Sequence, residues 1–151
     1  MAEKEMQEIY DSCISEGRIV AKEEVDINKA KSLFESAVNE FEIAKKIEKL
    51  GENVESHLFK TYYDVFRELV DAFVIFDRIE ISSHMCLFSY LIIKHPELEL
   101  DWKILNSMRQ LRNRICYYGK SLSRSEWKDY RIKFEVYIKT LKGLVEKGIK
   151  G

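Results

Sequence analysis

Proline and glycine are scarce in this sequence, with one Pro and six Gly among 151 residues. Because these two residue types mark most turns, their scarcity favours a few long helices over many short strands. Long apolar runs are also missing: the longest, residues 87–93, is interrupted by Ser89 and is far too short to span a bilayer. The first residues, M-A-E-K-E-M-Q-E, lack the apolar core of a signal peptide. We therefore expect no membrane segment and a cytoplasmic location.

Cysteine is rare as well, and the three that occur, Cys13, Cys86 and Cys116, form no close pair in the sequence. An odd number without close spacing argues against a disulfide framework or a zinc site and favours a reducing cytosol. His57 and His95 are isolated from other ligand types. The sequence therefore predicts no metal site, and we expect no cofactor.

Charge is nearly balanced over the whole chain, at −1, but it is unevenly distributed. Residues 101–151 carry 13 basic and 5 acidic groups, whereas residues 1–60 carry 9 and 14, and residues 61–100 carry 3 and 7. The whole molecule therefore does not attract nucleic acid, but a phosphate-bearing partner should approach the last third of the chain.

Helical periodicity dominates the sequence, and no strand alternation of useful length appears. Apolar positions predict a weak helix over residues 3–20, a long helix from Asp26 to Gly51, and a third helix over residues 54–78. A short helix capped by Ser82 or Ser83 should end at His95-Pro96, a fifth should start at Asp101, and a Ser123–Glu126 capping box should start a sixth. These elements predict one all-α domain over residues 1–151, an antiparallel up-down bundle of four main helices plus short ones. Residues 25–148 would form the bundle and residues 1–24 an N-terminal helical extension.

The most informative segment is residues 108–119, M-R-Q-L-R-N-R-I-C-Y-Y-G. Its helix should end at Gly119, since glycine takes the left-handed cap conformation without strain. Three arginines lie within one and a half turns, and such a cluster is typical of a site for an anion or for RNA phosphates. The steps of three and four residues predict the buried face, which comprises Ile104, Met108, Leu111, Ile115 and Tyr118.

This segment, L-R-N-R-I-C-Y-Y-G, resembles the HEPN superfamily when it is taken together with T-Y-Y-D-V-F-R-E-L-V-D-A-F and the following I-E-I-S-S-H. The resemblance covers roughly residues 25–148. It implies a helical domain that pairs as a homodimer, so that two copies of an Arg-x4-6-His motif form one metal-independent ribonuclease cleft. It also implies a place in a toxin–antitoxin or defence system, with a nucleotidyltransferase-type partner protein by analogy.

Carried over residue by residue, the resemblance assigns the family arginine to Arg112 and the polar residue after it to Asn113. The histidine position holds Tyr117, and no histidine occurs at any permitted spacing. A tyrosine, with a pKa of about 10 instead of about 6.5, cannot exchange protons efficiently at pH 7. Arg112 and Tyr117 are therefore the candidate catalytic pair, in a site that we expect to bind its ligand without cleaving RNA in the way of the family. The residues expected to bind RNA or a nucleotide are Arg109, Arg112, Asn113, Arg114, Tyr117 and Lys120.

Three functions stay open on this evidence. The first is a dimer that binds RNA or a nucleotide without efficient cleavage. The second is a ribonuclease whose degenerate Arg-x4-Tyr site takes its base from another residue or another protomer, and the third is a helical scaffold. On a regular helix Arg112 and Tyr117 point about 140° apart, so they can meet only if the helix end unwinds or a second protomer supplies one of them. We expect His84 to be a structural histidine and Cys116 to be a buried, inert thiol.

Overall fold

A computed structural model describes residues 2–151, and in this part of the chain six α-helices account for most residues. The helices are α1 (Ala2–Ser15), α2 (Ile27–Glu48), α3 (Glu55–Ile75), α4 (His84–Lys94), α5 (Trp102–Tyr118) and α6 (Arg124–Lys150), with a short 3-10 turn at Pro96–Leu98. The predicted all-α class is confirmed. None of the helices in residues 2–151 is both long enough and apolar enough to cross a membrane.

The helix ends follow the local capping signals. The Gly119 backbone takes the left-handed conformation with φ +63°, and its N–H bonds back to the Arg114 carbonyl, so α5 stops where predicted. Each of the four predicted N-caps accepts a backbone N–H: Asp26 from Lys29, Ser83 from Cys86, Asp101 from Lys103, and Ser123 from Glu126 in a complete capping box.

Helix α3 lies at the centre of the core and packs against α2, α5 and α6. Its aromatic residues Phe59, Tyr62, Tyr63 and Phe66 are fully buried. Phe59 packs edge-on against Phe134 of α6 with ring centroids 5.2 Å apart, a geometry that adds about 0.5–1.5 kcal/mol beyond the area buried.

A small sheet was not predicted from the sequence. Strands β1 (Ile19–Ala21) and β2 (Ile79–Ile81) pair antiparallel, with Val20 opposite Glu80. Each strand has only three residues, too few for an alternating pattern to stand out. The sheet joins the α1–α2 connection to the α3–α4 connection, and it fixes the backbone immediately before α4.

The N-terminal helix packs onto α4, and its side chains Met6 and Cys13 are buried. Cys13 forms a disulfide with Cys86 in the first turn of α4. The prediction that the cysteines form no disulfide is therefore wrong for this pair, which are 73 residues apart in the sequence and meet only after folding. The bond also removes the cysteine argument for a reducing compartment. Cys116 is the free thiol, and it is exposed where a buried thiol was expected.

We expect reduction of the disulfide, or the substitution Cys13→Ser, to lower the free energy of unfolding by about 2–5 kcal/mol, because the bond closes a long loop in the unfolded chain. Urea unfolding followed by circular dichroism measures this change. The matched control is Cys116→Ser, an exposed position where a change within about 0.5 kcal/mol is expected. Identical urea midpoints of unfolding with and without a reducing agent would contradict the presence of the disulfide.

Candidate functional site

Helix α5 presents its arginines to α3 because its other side is packed in the core. The buried positions of α5 are Trp102, Leu105, Met108, Leu111 and Ile115. Arg109 and Arg112 lie one turn apart, at the edge of this buried face, and are half-buried.

The prediction that Tyr118 continues the buried face is wrong, since this side chain is 82% exposed. Ile104 is only partly buried. The core contacts of α5 end with Ile115, and one turn later Gly119 reverses the chain direction. The spacing of apolar residues along α5 does not show where the neighbouring helices end, and an apolar residue beyond that point stays exposed.

Arg112 packs against α3. Its Nη2 donates to Asp64 Oδ1 at 3.1 Å, and its guanidinium carbon lies 5.8 Å from the centre of the Tyr63 ring. An ion pair at such a half-exposed position contributes at most about 1 kcal/mol. Asp64 therefore orients Arg112 without strongly stabilising the fold.

Two more arginines accompany Arg112. Arg109 donates through Nη2 to Asn106 at 2.9 Å, and Arg67, on α3, lies with its Nε 3.7 Å from Asp71. Tyr63 and His84 both lie in the electrostatic field of Arg67, Arg109 and Arg112. We call these three residues the arginine cluster.

The arginine cluster contains unused hydrogen-bond donors. Among residues 2–151, the buried side-chain nitrogens and oxygens without a hydrogen-bond partner are the Nε atoms of Arg67, Arg109 and Arg112. Leaving a buried donor unpaired costs about 1–3 kcal/mol, so most native structures avoid it. These three Nε atoms have almost no accessible surface, so an anion could reach the cluster only through the parts of the side chains that stay exposed, which amount to 44% for Arg67 and 24% for Arg112.

His84 brings an imidazole to the arginine cluster from the start of α4. Its Nδ1 lies 2.8 Å from the buried Tyr63 hydroxyl, while the neighbouring Ser83 caps the helix. Burial, followed by the charges of the arginine cluster, lowers the pKa of His84 to about 4. The ring is therefore neutral at pH 7.

The hydrogen bond to Tyr63 assigns the tautomer of that neutral ring. Burial raises the pKa of Tyr63 to about 12, so the phenol keeps its proton. His84 Nδ1 is the acceptor that the structure of residues 2–151 offers to this fully buried hydroxyl. Nδ1 consequently accepts the bond and Nε2 carries the ring proton. In this state His84 can donate a hydrogen bond through Nε2, but it cannot take up a proton there.

The other predicted site residues lie toward the end of α5, away from the arginine cluster. Tyr117 is 73% exposed, Arg114 is exposed and Asn113 is half-buried. Lys120 lies 3.6 Å from Glu126 of the α6 capping box. Because α5 remains helical through Tyr118, Tyr117 does not face Asp64 and Tyr63 as Arg112 does.

Sequence reasoning missed Arg67 and assigned His84 to a purely structural role. His84 bonds to a buried side chain and does not cap the helix itself. Apart from Lys60, Arg67 is the only Lys or Arg in α3. A cation in the middle of a strongly apolar helix was the feature of the sequence that could have identified it. His95 is also not isolated, as its two ring nitrogens lie 2.6 Å from Asp77 and 2.7 Å from Glu97.

Side chains that could bind a metal form no cluster comparable to the arginine cluster in the described residues. In the range 2–151, the structure shows no group of three or more His, Cys, Asp or Glu side chains that could hold a metal ion. Guanidinium groups and the Nε2–H of a neutral imidazole are suited to hold an anion.

We expect the His84 imidazole to remain neutral from about pH 8 to about pH 5 and to titrate near pH 4, because burial and three neighbouring cations disfavour its charged form. NMR of the imidazole carbon-bound protons measures this titration, and the His84→Gln variant assigns the signal. Arg109→Gln removes one cation and should raise the pKa toward about 6.5. The control Lys139→Gln, at an exposed position on α6, should leave it unchanged. A wild-type pKa of His84 near the ordinary histidine value of about 6.5 would contradict the burial of His84 beside the arginine cluster.

In comparisons with known proteins, no family model matches this chain and no curated protein matches it. The resemblance to HEPN domains therefore stays a prediction. The arginine cluster with Tyr63 and His84 carries the functional argument.

Proposed function

We propose that this protein binds RNA or a nucleotide through the phosphate groups, at the arginine cluster, and does not cleave RNA efficiently. One observation carries the proposal: α3 and α5 bring Arg67, Arg109 and Arg112 together around Tyr63 and His84, whereas two carboxylates, Asp64 and Asp71, pair with them. Phosphate oxygens are strong acceptors with the geometry that guanidinium groups prefer.

The surroundings of the cluster extend this binding surface. Arg114 and Tyr117 lie farther along α5, and Lys120 lies just beyond its end, all within the basic last third of the chain. An exposed tyrosine next to cations offers a face on which a base can stack, worth about 1–3 kcal/mol per base. The proposed ligand therefore places phosphates at Arg109 and Arg112, and a base near Tyr117.

A homodimer belongs to this proposal. Within one protomer, Arg112 turns toward Asp64 while Tyr117 is largely exposed on the regular part of α5. Arg112 and Tyr117 act on one ligand if a second copy supplies one of them. The HEPN-like bundle arrangement and the role in a toxin–antitoxin or defence system, beside a nucleotidyltransferase-type partner, are part of the same proposal and rest on the resemblance alone.

Binding is favoured over catalysis by the state of His84. Cleavage of RNA through its 2′-hydroxyl needs a group that accepts a proton near neutral pH, an effect worth about a hundred- to ten-thousand-fold. His84 is the imidazole closest to this role, but its Nε2 carries the proton and its pKa lies near 4. It can thus donate to a phosphate oxygen but is a poor base.

We expect a labelled single-stranded RNA to bind with an affinity that falls with salt, and Arg112→Gln to weaken binding about tenfold by removing a charge-assisted contact. Fluorescence anisotropy at several salt concentrations measures the dissociation constant. Each lost phosphate contact should reduce the slope of log affinity against log salt by about 0.7. Lys139→Gln makes the same change in net charge at an exposed site on α6 and should have little effect. If both variants lost RNA affinity equally, only non-specific charge attraction would hold the RNA. That result would favour the helical-scaffold alternative.

We expect the same RNA to stay intact during long incubation with the purified protein in the presence of a chelator, because the cluster lacks a base near neutral pH. Gel electrophoresis of the end-labelled RNA detects any cleavage. Scission that is lost in both Arg112→Gln and His84→Gln would overturn this prediction. It would establish the alternative, a metal-independent endoribonuclease.

A further inference from the structure

A cavity of about 560 Å³ lies behind the arginine cluster. The start of α2, the second half of α3, strand β2 and the start of α4 enclose it. Its volume is in the range of sites that bind small organic molecules. Arg67 and His84 line it, whereas Arg109 and Arg112 do not.

One wall of the cavity is apolar. It is formed by side chains from three helices, Leu33 of α2, Val74 and Ile75 of α3, and Leu87 of α4. Leu87 and Val74 are almost completely buried. This wall favours a ligand with an apolar body, since removing apolar surface from water contributes about 25 cal/mol per Å².

Most charged groups around the cavity already have a partner. Glu80 lies 3.0 Å from Lys22 and 3.8 Å from Lys29, so these three side chains form a network at the rim. Asp26 caps α2. These groups therefore do not determine the charge of a ligand deeper in the cavity.

Arg67 is different, because its guanidinium group keeps donors for a ligand. Its side chain is 44% exposed, and its ion-pair partner Asp71 lies 3.7 Å from Nε, beyond hydrogen-bond distance. His84 also lines the cavity, and its Nε2–H is the ring donor that the bond to Tyr63 leaves free. The first turn of α4, an 11-residue helix that begins at His84, adds the partial positive charge of a helix N-terminus.

We propose that this cavity binds a small organic anion, whose carboxylate or phosphate group accepts hydrogen bonds from Arg67 and His84 while its apolar body packs against Leu33, Val74 and Leu87. The chemistry required is an oxyanion on a compact apolar framework. This site shares Arg67 and His84 with the RNA-binding site proposed above, but its apolar wall lies outside that site, and small-anion binding does not depend on RNA binding.

NMR titration of the isotope-labelled protein tests the site with three probes of similar size: benzoate, phenyl phosphate and the neutral benzyl alcohol. We expect saturable shifts of the Leu33, Val74 and Leu87 methyl signals with at least one of the two anions, with a dissociation constant of about 1 mM or below. Comparing the two anions identifies the preferred head group. Benzyl alcohol should bind about tenfold more weakly or not at all, because it cannot form the charge-assisted bonds.

Variants separate this cavity from the RNA surface. Arg67→Gln should weaken anion binding about tenfold or more, and Ile75→Trp should abolish it by filling the cavity without changing any charge. Arg109→Gln, in the arginine cluster but outside the cavity, should bind the anion as the wild type does.

Three outcomes would overturn the proposal. They are the absence of saturable shifts with both anions, equal affinity for benzyl alcohol, and loss of anion binding in Arg109→Gln to the same extent as in Arg67→Gln. Circular dichroism checks that each variant is folded. Loss of RNA binding with retained anion binding would contradict the proposed function alone.

Discussion

The near-complete burial of α3 is the constraint on which the rest of this structure depends. Neighbouring helices cover the aromatic side chains of α3, so its polar residues are confined to one edge. Asp64, Arg67 and Asp71 lie on that edge, at spacings of three and four residues that keep them on the same side of a helix. Two groups of the candidate site are positioned by α3: Arg112 bonds to Asp64 on this edge, and His84 bonds to Tyr63 beside it.

Charge at this edge is unbalanced. Three arginines are accompanied by two nearby carboxylates, and burial raises the pKa of one of these, Asp71, to about 6. His84 does not add a positive charge at neutral pH, because the environment that concentrates the cations also keeps it neutral. Like charges and unpaired donors at the edge of a core reduce stability, and such sites are often retained because a ligand compensates for the cost. A bound anion would supply the negative charge that this edge lacks.

The sequence predicted what depends on neighbouring residues and failed where distant segments meet. Asp101 and Gly119 were assigned correctly, and Ser83 is one of the two caps predicted for α4, because a cap or a helix stop is determined within one turn. The disulfide between Cys13 and Cys86 and the approach of His84 to Arg112 depend on how α1, α3 and α4 pack. No local pattern contains that information. The HEPN motif places its histidine in the same helix as its arginine, whereas the imidazole beside Arg112 comes from the start of α4.

Whether the site binds an anion or transfers a proton depends on a single buried hydrogen bond. The Tyr63 hydroxyl cannot reach solvent, so it donates to His84 Nδ1, and the ring proton is held on Nε2. A histidine that serves as a base needs the opposite tautomer, with its free nitrogen directed at the substrate. The position of Tyr63 is determined by packing inside α3, not by anything at the surface. In this protein the aromatic core that supports the fold therefore also leaves His84 with a free Nε2–H donor and makes it a poor base.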